Sequence, residues 1–316
     1  MKNSLFLLGA AAVVALSSCT KNEVLEVAEN RAIGFDNAFI DNPVRAAIDN
    51  VDGLTSFYVF GGFNSQYTNV YNNTAVTRGG NTGEYTWTPK YPAYWQINQT
   101  YTFDAYAANA MIADATCDAN GVKFPTAVTV DGTNDIIVAA ATDQPVDEDF
   151  LAAPEKVKFT FKHTLSQVKF TFQTEIQNVN FTVTNVNLNN AATSGTYASS
   201  LWTNGEQNKT YAANDVSGKI SSALGQSTSP IIVMPQAMNT TQTVTFDLKA
   251  EGGIAFEKNT ITVKMPSIDL EEGKSYNFIA KLTAKNIDPD NEYKEIQFEV
   301  EEVSGWTPAT GGDLAD

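Results

Sequence analysis

The sequence predicts an all-β chain, and three observations carry that prediction. Short runs of alternating apolar and polar residues recur along it: Val157, Phe159 and Phe161 are set against Lys158, Thr160 and Lys162, a spacing that sends each set to its own face of a strand. Gly, Tyr and Phe are plentiful, at 20, 12 and 18 residues, a composition suited to sheets and the turns between them. Long helical periodicities are absent. At 316 residues the chain can form two units of ordinary size, each with its own core.

Taken in order, residues 1–18 combine Lys2, an apolar run over 5–16 and small residues before Cys19. The run is shorter than the ~20 residues that span a bilayer and reads as a cleaved export signal. Leu16, Ser17, Ser18 and Cys19 resemble a bacterial lipobox, which implies acylation of the Cys19 thiol (palmitate among the acyl groups) and anchoring of the mature N-terminus in the outer membrane. At about 0.8 kcal/mol per buried methylene, several acyl chains hold a protein firmly. The alternative is an ordinary secretory signal with a chance cysteine. Residues 19–31 are polar and Glu-rich, suited to a flexible tether.

A first unit is expected over 32–153. Ile33 and Phe35 alternate with Gly34 and Asp36 as in a short first strand, which Asp41, Asn42 and Pro43 end. Arg45 follows, one of three arginines with Arg31 and Arg78. A strand is predicted at 54–63, then a loop-rich stretch over 64–100 with a turn at 78–83, then strands at 101–107 and 134–142 separated by a loop over 112–121. The acidic, Pro-flanked segment 143–154 is the expected boundary.

The second unit, 154–316, opens with the paired strands of 156–174. Their phase changes, because Val168, Phe170 and Phe172 are even-numbered and the earlier set odd. A bulge or tight turn around Ser166 and Gln167 would keep both halves on one core. Further strands are expected at 179–188, 231–234, 243–250, 260–265 and 275–283, with a hairpin turn at Gly252 and Gly253. The last strand places Ile296, Phe298 and Val300 on one face, able to complete its own sheet or to lie in a neighbour's groove.

Several strings resemble the Bacteroidales fimbrillin family, the pilins of protease-assembled (type V) fimbriae: FKHTLSQVKF within 156–174, the aromatic run at 91–107, NDIIVAA at 134–140, IIVMPQ at 231–236, LEEGKSYNF at 270–278 and IQFEVEEVSGW at 296–306. They occur in the family's order over most of the exported part. The resemblance implies two tandem transthyretin-like β-sandwich domains and a lipoprotein precursor that a trypsin-like protease cuts between Arg45 and Ala46. The first strand, carrying Ile33 and Phe35, then leaves, and a neighbour's C-terminal segment, here Ile296, Phe298 and Val300, fills the groove. The implied partners are other pilin subunits, the protease, the membrane through the lipid, and a host or bacterial surface ligand. The implied place is the outer membrane and then the surface fimbrium, where such subunits support adhesion and biofilm formation. The residues beyond Trp306 are Gly-rich, which leaves shaft, anchor and tip roles open.

Other readings are weaker. A net charge of −16 argues against nucleic acid, which needs clustered Lys and Arg. With two cysteines and one histidine, zinc-type spacing is impossible. The acidic loops at 131–135 and 288–291 lack calcium-loop ordering, and no cofactor or metal is expected. No G-x-S-x-G elbow or phosphate loop occurs. His163 is in phase with Phe159 and Phe161, hence expected to face the core, and Cys117 reads as a small buried side chain; no enzyme is expected. The rival function is a non-polymerising surface lipoprotein that binds glycans through the aromatic cluster of Tyr85, Trp87, Tyr91, Tyr94 and Trp95.

Overall fold

The structure, a computed structural model, describes residues 31–36, 39–40, 53–81, 84–216, 218–253, 256–287 and 296–305, with backbone only at 39–40 and 301–305. The export signal, the tether up to residue 30 with Cys19, and Arg45 and Ala46 lie outside the described residues.

The regular structure of the described chain is nearly all strand. After the two-residue β1 (Phe39–Ile40) come β2 (Ser56–Phe63), β3 (Tyr71–Asn81), β4 (Glu84–Pro89), β5 (Gln99–Ala107), β6 (Thr116–Asp118), β7 (Gly121–Thr129), β8 (Ile137–Ala140) and β9 (Gln144–Val146), then a short helix α1 (Glu148–Ala152). The rest comprises β10 (Thr160–His163), β11 (Ser166–Thr174), β12 (Val179–Ala191), β13 (Ser194–Ala198), β14 (Leu201–Asn204), β15 (Lys209–Ala212), β16 (Gln226–Ser227), β17 (Ile231–Val233), β18 (Ala237–Met238), β19 (Thr243–Gly252), β20 (Phe256–Lys264), β21 (Ile268–Asp269), β22 (Lys274–Leu282) and β23 (Phe298–Gly305).

The largest sheet runs β1-β10-β8-β5-β2-β3-β4, with β9 beside β5. A second runs β16-β11-β22-β23 with β17 on β11, a third β15-β12-β19-β20, a fourth β14-β13-β7-β6, and β18 pairs with β21. Two buried clusters fill the interior. One gathers Ile33, Phe35, Phe57, Phe103, Phe159 and Phe161; the other gathers Leu165, Val168, Phe170, Phe172, Phe246 and Phe278 with many aliphatic partners.

Two sequence expectations need correction. The phase change within 156–174 is no bulge facing one core: Val157, Phe159 and Phe161 belong to the first cluster, while Leu165, Val168, Phe170 and Phe172 belong to the second. The chain crosses between cores at Thr164, so opposite faces are what the packing requires. A true bulge occurs elsewhere. In β12 the buried set shifts from Val179, Phe181 and Val183 to Val186 and Leu188, the register slips between Thr184 and Asn187, and Asn185 takes φ 53°, as an inserted residue demands.

Beyond the boundary expected at 143–154, β10 still pairs with β8 of the first sheet. Moreover, β13 hydrogen-bonds to β7, and Phe60 and Tyr106 of the first half lie in the second cluster. The halves share a sheet. Finally, 64–100 is less loop-like than expected, because β3 and β4 form a hairpin there, and β6 lies within the predicted loop at 112–121. Their Thr, Asn and Gly residues carry little apolar alternation, and backbone pairing rather than side-chain burial fixes these strands.

Candidate functional site at the chain's two edge segments

Residues 31–36 do not form a named strand; they act as a bridge between two sheet edges. On one side, Ile33 N donates to Ala93 O at 2.8 Å and Trp95 N donates to Arg31 O at 2.9 Å. On the other, Asp36 N donates to Val157 O and Val157 N donates to Gly34 O, both at 2.9 Å. Odd and even residues thus bond in opposite directions, as extended backbone does. Phe35 is bridged at once to Trp87 in β4, antiparallel, and to Val157 just before β10, parallel. Since β4 and β10 lie at or next to the two ends of the sheet path, this segment closes the sheet on itself. Beyond it, β1 continues parallel to β10, with Phe39 opposite Thr160 and Ile40 opposite Phe161.

The closure is apolar. Ile33 and Phe35 are each 2% exposed. The Phe35 ring meets Phe57 at 5.7 Å, Tyr71 at 5.8 Å and Phe103 at 6.4 Å between centroids. Fully burying such side chains contributes about 1.5–3 kcal/mol each. Gly34 permits the approach to the neighbouring strand: a Cβ there would lie 3.3 Å from Lys156 Cγ. Within this core the Trp87 and Trp95 indole N–H groups are buried without an acceptor among the described residues, a cost of about 1–3 kcal/mol for each such group.

The last strand lies at the edge of another sheet. β23 pairs antiparallel with β22, from Ala280 opposite Phe298 to Lys274 opposite Gly305, with a register shift between Asn277 and Phe278. Ile296 and Phe298 are 5% exposed, and Val300 packs half-buried on the second cluster. Phe298 contacts Phe170 at 5.5 Å and Phe172 at 6.1 Å between ring centroids. The last strand therefore completes its own sheet here.

The remaining candidates are internal. His163 is buried, and its Nδ1 meets Asp135 Oδ2; Asp135 Oδ1 accepts from Ile136 N at 2.8 Å. Burial pushes the Asp135 carboxyl up, opposed by the His163 hydrogen bond. The pair ties the loop before β8 to the end of β10, where the chain leaves the first core. Asp131, in the same loop, spends its carboxylate on Thr133 and Asn134. Among the described residues no cluster of three or more His, Cys, Asp or Glu could hold a metal. Cys117 is half-buried and its thiol donates weakly to Asp104 Oδ2 at 3.5 Å; burial, with Asp104 beside it, pushes the thiol pKa up, the opposite of an activated nucleophile. Of the aromatic cluster considered as a sugar platform, Trp87 and Trp95 are core residues at 5% and 3% exposure, Tyr85 is half-buried, and Tyr91 and Tyr94 face outward. The indoles are thus unavailable for stacking on a glycan.

What sequence reasoning missed is the double-sided role of 31–36. Alternation revealed the buried face of Ile33 and Phe35, but both partners, Trp87 and Val157, are distant in the chain and carry no local mark of the pairing.

The fold recurs in solved structures. A fimbrial protein from Bacteroides vulgatus ATCC 8482 superposes with a TM-score of 0.55 at 12% identity, over 88% of this chain and 100% of that one. A candidate cell adhesion protein from Bacteroides uniformis ATCC 8492 gives 0.50 at 16%, over 88% and 98%; another from Bacteroides ovatus ATCC 8483 gives 0.50 at 16%, over 86% and 98%. Among curated proteins no relative matches. The family model described as Fimbrillin-like matches residues 44–302, most of the sequence, and the chain belongs to the fimbrillin-like family.

Proposed function

We propose that this chain is a structural and adhesive subunit of a cell-surface fimbrium that assembles with other pilin subunits by strand exchange and supports adhesion and biofilm formation. It is exported as a lipoprotein precursor held to the outer membrane through Cys19, and a trypsin-like protease cuts it between Arg45 and Ala46. The cut frees everything before residue 46, including Ile33, Phe35 and β1.

The observation that carries this reading is the bridging of Phe35 to both Trp87 and Val157. A segment bonded on both flanks leaves two unpaired edges and an apolar trough when it departs. Only an extended backbone with alternating apolar side chains can satisfy such a gap. A second copy's Ile296, Phe298 and Val300 meet that description, and a host or bacterial surface ligand would be engaged by the assembled fibre. The rival reading, a monomeric lipoprotein stacking sugars on the Tyr85–Trp95 cluster, is disfavoured by the burial of both indoles.

Limited trypsin digestion of the purified precursor tests this. The expected products are a fragment beginning at Ala46 and SDS-resistant ladders, with Arg45→Ala giving neither. A chain cut at Arg45 that stays monomeric overturns the reading.

A further inference from the structure

A cavity of about 700 Å³ opens on the face of the large sheet opposite the Phe35 core. Its floor is the row of side chains that β5, β8 and β10 share on that face. Asp104 lies directly opposite Ala140 and Phe60 in the strand register, and Tyr106 opposite Val138 and Tyr58. At the Phe60 and Tyr106 end this face is core, covered by Phe124 of β7, whose ring centroid lies 5.2 Å from that of Tyr106. Toward Thr102, Ala140, Thr160 and Lys162 the same face becomes polar or small. There the tip of the β6–β7 hairpin, Asp118 to Gly121, overhangs it without filling it.

Asp104 is the feature that an ordinary surface hollow does not explain. It is 8% exposed, yet it lines the cavity. Its Oδ2 takes only the Cys117 thiol, at 3.5 Å, and Oδ1 has no hydrogen-bond partner among the described residues. Gly121, at φ 86°, keeps the space before that oxygen open: a Cβ there would lie 3.6 Å from Oδ1. The side chain is thus largely withdrawn from solvent while Oδ1, the oxygen open to the cavity, is left able to accept from a donor arriving there.

The lining decides what kind of donor. Asp104, Asp118 and Asp143 repel an anion. Asp118 is already engaged by Lys123 and by Asn120 N, and Asp143 accepts from Thr102 Oγ1 at 3.0 Å. Lys162, exposed and without a partner among the described residues, opposes a cation. The open valences are therefore acceptors at Asp104 and donors at Lys162 and Thr160, which a neutral ligand carrying both hydroxyl hydrogens and hydroxyl oxygens satisfies together. Tyr67 adds an aromatic side chain to the lining, and the volume falls within the range of about 300–1,000 Å³ typical of small-molecule sites. We propose that this cavity is a binding site for a neutral saccharide, with Asp104 accepting a hydroxyl hydrogen at its floor.

The site is complete within one chain and does not depend on strand exchange, so it is tested on the uncleaved monomer. The probe is an array of neutral oligosaccharides, read alongside thermal melting. Ala140 is exposed, so Ala140→Trp fills the cavity without removing any polar group or disturbing a core. The expected result is binding to a subset of the array, lost in Ala140→Trp and weakened at least tenfold in Asp104→Asn, with melting temperatures of both variants within a few degrees of the parent. Absence of saccharide binding by the parent chain overturns the proposal. So does binding that survives Ala140→Trp, or selective binding of spermidine in place of sugars.

Discussion

The ring of Phe35 lies nearly parallel to that of Phe159, 14° between planes and 6.1 Å between centroids, so a residue near the start of the described chain is stacked on the residue that leads into β10. Truncating such a side chain removes its transfer energy and leaves a cavity walled by rigid aromatic neighbours. Phe35→Ala is expected to destabilise the precursor by about 3–5 kcal/mol, measured by urea denaturation. If the segment is resident only until cleavage, the same change leaves the stability of the assembled ladders unaltered.

The last strand gives the complementary prediction. Phe298 packs on Phe170 and Phe172, and a charge placed there would be buried without a partner. Phe298→Asp is expected to abolish the ladders that follow trypsin digestion while the fragment beginning at Ala46 still appears. Gel electrophoresis and N-terminal sequencing of the same digest separate the two outcomes.

Glu272 gives a pH dependence. It is half-buried, its Oε1 has no hydrogen-bond partner among the described residues, and burial raises its pKa from 4.5 to about 7. The folded state holds this proton more tightly than the unfolded chain. Its contribution is therefore fully present below about pH 4.5 and is lost as pH rises through about 7. At about 1.4 kcal/mol per tenfold change in proton affinity, and reduced for residual exposure, the loss is of the order of 2 kcal/mol. Glu272→Gln is expected to flatten this part of the stability profile and to raise the melting temperature at pH 8, read by calorimetry at both pH values.

The Asp135 and His163 pair is fully desolvated, and removing one partner strands the other. His163→Ala is expected to cost about 3–5 kcal/mol. The double variant with Asp135→Ala is expected to cost less than the sum of the two single changes, because the stranded group is gone. Additive losses in denaturant titrations would show that the two side chains do not act as a unit.

How much of this was legible beforehand depended on where burial is written into the chain. In β12 and β19 the alternation of Val, Phe and Leu states both the strand and its inner face and the buried residues follow it, while in β11 and β22 it marks the strand and neighbouring strands bury much of the other face as well. In β3, β13 and β14 the strands are rich in Asn, Thr, Ser and Gly, so the pattern is faint. Two changes of phase have the same local pattern, though only that in 156–174 is read from the sequence. The one in β12 is a bulge at Asn185, whereas the one around Thr164 is a passage between cores, and only long-range partners distinguish them: Trp202 Nε1 donates to Thr164 O at 2.7 Å. For the candidate site, the buried face of Ile33 and Phe35 could be read, but the simultaneous pairing with Trp87 and Val157 could not, since tertiary geometry alone brings those edges together.

The ladder joining β7 to β13, with Ser194 beside Thr129 and Tyr197 beside Phe124, has a mechanical meaning. A filament dragged by flowing liquid transmits tension through every subunit, and a slack joint at mid-molecule would stretch first. Here that cross-tie would have to rupture before the halves could separate, so tension passing through such a subunit would meet hydrogen-bonded backbone at mid-molecule.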